Sequence, residues 1–225
     1  MANNVLKLAA AGGLLYAARR YYLNWGTTKD ECRMRLSGDE LVRSPFIQTT
    51  EGVWIDAPPS VVWPWLVQMG QDRGGLYTYD TVENLVGLDY HSADRLHPEW
   101  QHLAPGDEIR LVPKGWMGLR DGIALKVVDV IEQQSIVLRA TPPEHVWDAV
   151  WSFHLSRHWE DQSRLLFRTR TQLRHPGDVM IVEAVAPAKA LFTRRMLLGI
   201  KHRAECQLQA EASAATASAN LHRLV

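Results

Sequence analysis

A run of strand-like stretches, at residues 109–112, 123–131, 135–141, 147–155 and 163–173, restricts the fold more than anything else in the chain. Turn-like segments separate them, the order of an antiparallel meander in which each strand pairs with its neighbour. Period-two alternation assigns faces. Trp147, Ala149, Trp151, Phe153 and Leu155 fall on one side of their strand. Leu165, Phe167, Thr169, Thr171 and Leu173 fall together on the next, opposite Arg168 and Arg170. The apolar sets are expected inward, and the two arginines are expected as charge on the solvated outer face.

The flanking segments complete the pattern. Residues 47–55 alternate as a strand, with Ile47, Thr49, Glu51, Val53 and Ile55 on one face, and Asp56-Ala57-Pro58-Pro59 stops it. Pro58 and Pro59 suit a first helical turn. Val61, Val62, Trp65, Leu66 and Met69 then recur at helical spacing up to Gly70, with Pro64 expected to bend the helix or delay its start. A second short helix is predicted over 79–86, stopped by Gly87. The longest helical stretch is centred on 187–206, where Leu191, Phe192, Met196, Leu197 and Ile200 form an apolar face able to cover a concave sheet. Residues 178–186 read as an approach segment or a kinked extra turn.

With 225 residues, 46% of them hydrophobic, the chain suffices for one buried core. The division expected is an apolar N-terminal helix (1–25), an extended lead-in (26–46), the core domain (47–206) and a disordered tail (207–225) rich in Ala, Ser and Thr. Twenty-five basic residues balance twenty-five acidic ones, so nothing in the net charge favours nucleic acid as a partner. Cys32 and Cys206 stand far apart and read as reduced thiols of a cytoplasmic protein. The uninterrupted apolar run 8–18 would rise only about 16 Å as a helix, against about 30 Å of bilayer hydrocarbon. Two readings of residues 5–25 stand: contact with a membrane interface, where Arg19 and Arg20 can snorkel among aromatic residues, or packing on protein.

The order strand, two helices, antiparallel strands, long terminal helix is accompanied by the segments IDAPPSVVWPWLVQMG, GGLYTYDTVENLVGLDYHSADRLHPEWQHLAPGD and RRMLLGIKHRAE. Over residues 25–206 the chain resembles an uncharacterised bacterial branch of the START-like (SRPBCC) superfamily, the polyketide cyclase/dehydrase and lipid-transport-like proteins. The resemblance implies an α+β helix-grip fold: a curved antiparallel sheet wrapped around a long C-terminal helix, with two short helices after the first strand. It also implies a hydrophobic small-molecule ligand in a cavity between sheet and helix, and in some branches cyclisation or dehydration there. It carries over no universal catalytic motif, and a third reading, a structural or protein-interaction module whose cavity is filled by its own Trp, Phe and Leu side chains, stands beside the carrier and the enzyme.

The residues themselves offer a polar constellation around 74–95. Asp80 with Glu83 or Asn84 could share a helical face for general acid/base work, Tyr77 and Tyr79 could donate to a developing enolate oxygen, and His91 with Asp94 could form a base and its orienting carboxylate if the loop brings them together. Helix capping and backbone satisfaction are the competing, structural roles for the same residues. The spacing of His91, Asp94 and His97 is weak as a metal signal, since Pro98 disfavours helical continuation, and no metal is expected. His154 and His158 read as two surface histidines. No glycine-rich nucleotide loop or nucleophile elbow occurs, so no cofactor is expected. Trp65, Tyr79, Trp151, Phe153, Phe167, Phe192 and Met196 are the expected apolar ligand contacts. Thr169 and Thr171 are expected as polar ones, because inward hydroxyls need a partner. Glu51 joins them if the first strand keeps its register, and a surface or edge location for it stands equally.

Overall fold

The computed structural model describes residues 2–140, 148–173 and 177–222. Six strands, β1 (Ile47–Ile55), β2 (Glu108–Val112), β3 (Ile123–Ile131), β4 (Ser135–Ala140), β5 (Asp148–His158) and β6 (Gln162–Gln172), form one antiparallel sheet. The order β1-β6-β5-β4-β3-β2 is a meander from β2 to β6 with β1 returning beside the last strand. Among the described residues five α-helices accompany the sheet: α1 (Ala2–Leu23), α2 (Lys29–Arg33), α3 (Pro59–Val67), α4 (Asp80–Leu85) and α5 (Asp178–His222). Residues 141–147, including Trp147, lie outside the described residues.

Cross-strand register fixes which side chains share a face, because directly opposed residues point the same way. Thr49, Thr169 and Trp151 form one row across β1, β6 and β5, and Glu51, Phe167 and Phe153 form the next. This is the face covered by helix. Val53, Ile55, Leu165, Phe167, Phe153, Leu155, Ile136 and Leu138 join Trp65 and Leu66 of α3 and Met196, Leu197 and Ile200 of α5 in one buried cluster. The inward assignment for β5 and β6 therefore agrees with the observed packing, and the shared face of β1 joins theirs. Gly199 shows how closely α5 is held: a Cβ there would stand 2.3 Å from the carbonyl oxygen of Tyr77, so only glycine permits the approach.

α3 starts at Pro59 with Pro58 as its N-cap, so Pro64 does not delay its start; it occupies the sixth position of the helix. α5 differs more from expectation. It runs unbroken through Pro187 from Asp178, and residues 207–222 continue it as helix instead of forming a disordered tail. Leu191, expected on its apolar face, is exposed.

The lead-in is not simply extended. Thr28 and Glu31 make a capping box that starts α2: Thr28 Oγ1 accepts from the Glu31 N–H at 3.1 Å, and Glu31 Oε2 accepts from the Thr28 N–H at 2.7 Å. Its remainder lies across the outer face of the sheet, where Val42 packs with Val137 and Val150. The expectation that Arg168 and Arg170 are solvated is therefore corrected. Arg168 is 1% exposed. It pairs with Asp39 at 2.8 Å and donates to Thr50 Oγ1 and to the carbonyls of Glu31, Cys32 and Met34. Arg164 pairs with Glu31 at 2.7 Å, and Arg170 donates to the carbonyls of Val42 and Arg43. Alternation correctly placed these arginines on the outer face. A segment distant in sequence covers that face, and an outward direction did not reveal it. His154 shares this fate: burial, then the Arg168 charge, lowers its pKa to about 4.

Candidate functional site

Where β1 and β6 meet under the first half of α5, the concave face turns polar. Thr49 and Thr169 join their hydroxyls at 2.7 Å, and Nζ of Lys189 donates to Thr169 Oγ1 at 2.6 Å. Glu51, 1% exposed, lies one row along the same face. Among the described residues its Oε2 is buried without a hydrogen-bond partner. Apolar surroundings disfavour both charges: burial raises the Glu51 carboxyl above its ordinary range and lowers the Lys189 amine below its own. Each is the charge that counteracts the other's shift, so the two titrate as a pair.

The apolar wall continues from this cluster. Trp151 and Phe167 stand edge to face at 5.3 Å, Phe153 and Phe167 are 4.6 Å apart, and Met196 is buried in the same core. Trp151 and Thr171 are half-buried. Phe192 is half-buried too and meets the edge of Tyr79, a largely exposed ring, at 6.0 Å. Trp65 packs on Tyr77 and spends its indole N–H on Gln207 of α5 at 2.9 Å. The sheet thus gathers Trp151, Phe153, Phe167, Thr169 and Thr171, while Trp65 and the Tyr79–Phe192 pair stand on the helices.

The catalytic candidates do not converge. Tyr77 is 1% exposed, its hydroxyl donates to the Trp65 carbonyl at 3.0 Å, and burial raises its phenol pKa. Asp80 accepts from the N–H and hydroxyl of Ser92, organising the loop after α4. His91 lies 3.7 Å from Asp89, whereas Asp94 faces Arg203 at 3.3 Å, both on the surface. His91 and Asp94 therefore do not form the expected pair. His97 turns to Glu99 at 3.2 Å, so the three spaced residues do not meet either. Among the described residues no group of three His, Cys, Asp or Glu side chains could hold a metal ion.

Lys189 went unread in the sequence, although a signal was available. Ala186, Ala190, Thr193, Met196, Leu197, Ile200 and Ala204 make the buried stripe of α5, and Lys189 lies on that stripe by three- and four-residue spacing. A lysine on the buried stripe of a helix needs a partner inside the protein.

The geometry defines a helix-grip α+β fold, an antiparallel sheet closed on one face by a long C-terminal helix. No family profile and no curated protein matches the chain. Among solved structures it is similar to the Aha1 dimer from Colwellia psychrerythraea, at 20% identity and TM-score 0.42, covering 71% of this chain and 97% of that one. It is similar also to a truncated norcoclaurine synthase from Thalictrum flavum, at 13% identity and TM-score 0.40, covering 68% and 92%. A third likeness is protein MLL2253 from Mesorhizobium loti, at 13% identity and TM-score 0.39, covering 69% and 98%.

Proposed function

We propose that the protein binds a hydrophobic small molecule, lipid-like or polyketide-like, between the concave sheet and α5. The ligand's apolar body lies along Trp151, Phe153, Phe167, Phe192 and Met196, and its polar group meets Thr169, Thr171, Lys189 and Glu51. One observation carries this reading: the buried carboxyl of Glu51 shares an apolar face with the half-buried Lys189, and one carboxyl oxygen has no partner there among the described residues. A protein gains nothing in stability from a buried polar group it leaves unsatisfied, so such a group points to a ligand. In the same reading α1, which presents Val5, Leu6, Leu14, Tyr16 and Tyr21 to the outside, rests on a membrane interface. No helix among the described residues is long and apolar enough to cross a membrane.

Native mass spectrometry and organic extraction of the purified protein test the reading. An apolar compound released at about one per chain is the expected result. A protein that carries none and takes up none from a panel of fatty acids, sterols and aromatic polyketides would overturn it.

A second reading, a cyclase or dehydratase acting on such a ligand, draws on the same pair, since a carboxyl and an amine with shifted proton affinities can move a proton between them and a guest. Conversion of an extracted ligand, lost in Glu51→Gln and in Lys189→Met, supports it; unchanged ligand after incubation rejects it.

A further inference from the structure

We infer that the polar group recognised in this site is an acid: the site takes an apolar molecule ending in a carboxylate, which accepts hydrogen bonds from Lys189 and from the carboxyl of Glu51. This rests on the ligand-binding reading above and specifies its chemistry.

A lysine ammonium has three N–H donors, and Lys189 commits one, to Thr169 Oγ1. Thr169 also shares a hydrogen bond with Thr49, so the two hydroxyls are occupied with Lys189 and with each other. Among the described residues Lys189 has no ion pair, and the nearest carboxylate on its own helix, Glu183, is held by Arg19 of α1 through Oε1 and Oε2. Among the described residues, the charged groups facing the site are Glu51 from β1 and Lys189 from α5. β6 contributes Thr169 and Thr171, and β5 contributes Trp151.

A carboxylate guest supplies what is missing. Its oxygens accept the uncommitted N–H groups of Lys189, and its negative charge offsets the ammonium in a region poor in solvent. Glu51, held protonated by its apolar surroundings, donates its O–H to the guest. An alcohol supplies an acceptor without the charge. An amine would bring a second cation to Lys189.

Calorimetric titration of the full chain with decanoate, decanol and decylamine at pH 7 tests the inference, since the three share an apolar body and differ in the end group. Decanoate is expected to bind at least about tenfold more tightly than either of the others. Lys189→Met is expected to abolish the preference, weakening decanoate much more than decanol. A measurement on the unaltered protein guards against misfolding of that variant: decanoate should weaken at least about fivefold from pH 7 to pH 9 as the Glu51–Lys189 pair loses its protons, and decanol should weaken less because it carries no charge. Equal affinities for all three, a preference for decanol or decylamine, or a decanoate affinity independent of pH would overturn the acid and leave the apolar ligand standing. If none of the three binds, the ligand-binding reading falls and this one with it.

Discussion

Glu51 and Lys189 show what burial does to single groups. The folded state raises the Glu51 pKa, so it binds a proton that the unfolded chain releases once pH exceeds the ordinary carboxylate value of 4.5. Its contribution to stability is therefore complete below that value and is lost as pH rises. Glu51→Gln removes this dependence. Relative to the variant, the unaltered protein is expected to lose about 1–2 kcal/mol between pH 5 and pH 8 in urea unfolding. Parallel stability curves for the two proteins would contradict the burial argument. At this scale the sequence was partly legible. Alternation placed Thr49 with Glu51 on one face of β1 and Thr169 on the inward face of β6, but it carries no information about which strand lies beside which or which helix residue lies above them. The pairing of His91 with Asp94 failed for a related reason: closeness along a loop does not bring side chains within reach, and Asp94 found Arg203 of α5 instead.

At the scale of elements, the lead-in is the clearest case of tertiary context overriding local character. Its polar residues and turns have little periodicity, and their order comes from three arginines that β6 projects from its outer face. Arg164 holds Glu31 at the end of the capping box, Arg168 holds Asp39 and three backbone carbonyls, and Arg170 holds the turn at Val42 and Arg43. Arg168→Met leaves Asp39 with Arg170, at 3.2 Å, as its remaining ion pair and takes the arginine donors from the Glu31 and Met34 carbonyls, while the Cys32 carbonyl keeps Gln48. The expected cost is about 2–3 kcal/mol, read as a lower denaturation midpoint. A change below about 1 kcal/mol would mean that the lead-in is held by Val42, Val137 and Val150 alone. The long terminal helix was legible from its apolar spacing over 187–206. Its continuation on both sides was not, because residues 178–186 precede a proline and residues 207–222 have no apolar face to signal a helix.

At the scale of the whole molecule, α1 stands apart from the core it precedes. Its last turns are tied down, by the Arg19–Glu183 pair and by Trp25, just beyond it, under Arg194 at 4.5 Å, while Val5, Leu6 and Leu14 are exposed. Deleting residues 2–18 is accordingly expected to leave the melting temperature within about 2 °C and to abolish flotation with anionic lipid vesicles. A large fall in melting temperature would assign α1 to the core instead, and retained flotation would place membrane contact elsewhere. The sequence by itself determined the strands, their inward faces and the gripping helix, because side-chain direction repeats with a local period of two or 3.6 residues. Only the tertiary structure decided what each face meets. It set Lys189 of α5 above Thr169 and near the charge of Glu51, and it closed the lead-in over Arg168. Those encounters join residues distant along the chain, and contact between such residues depends on how whole elements pack, which no local period encodes.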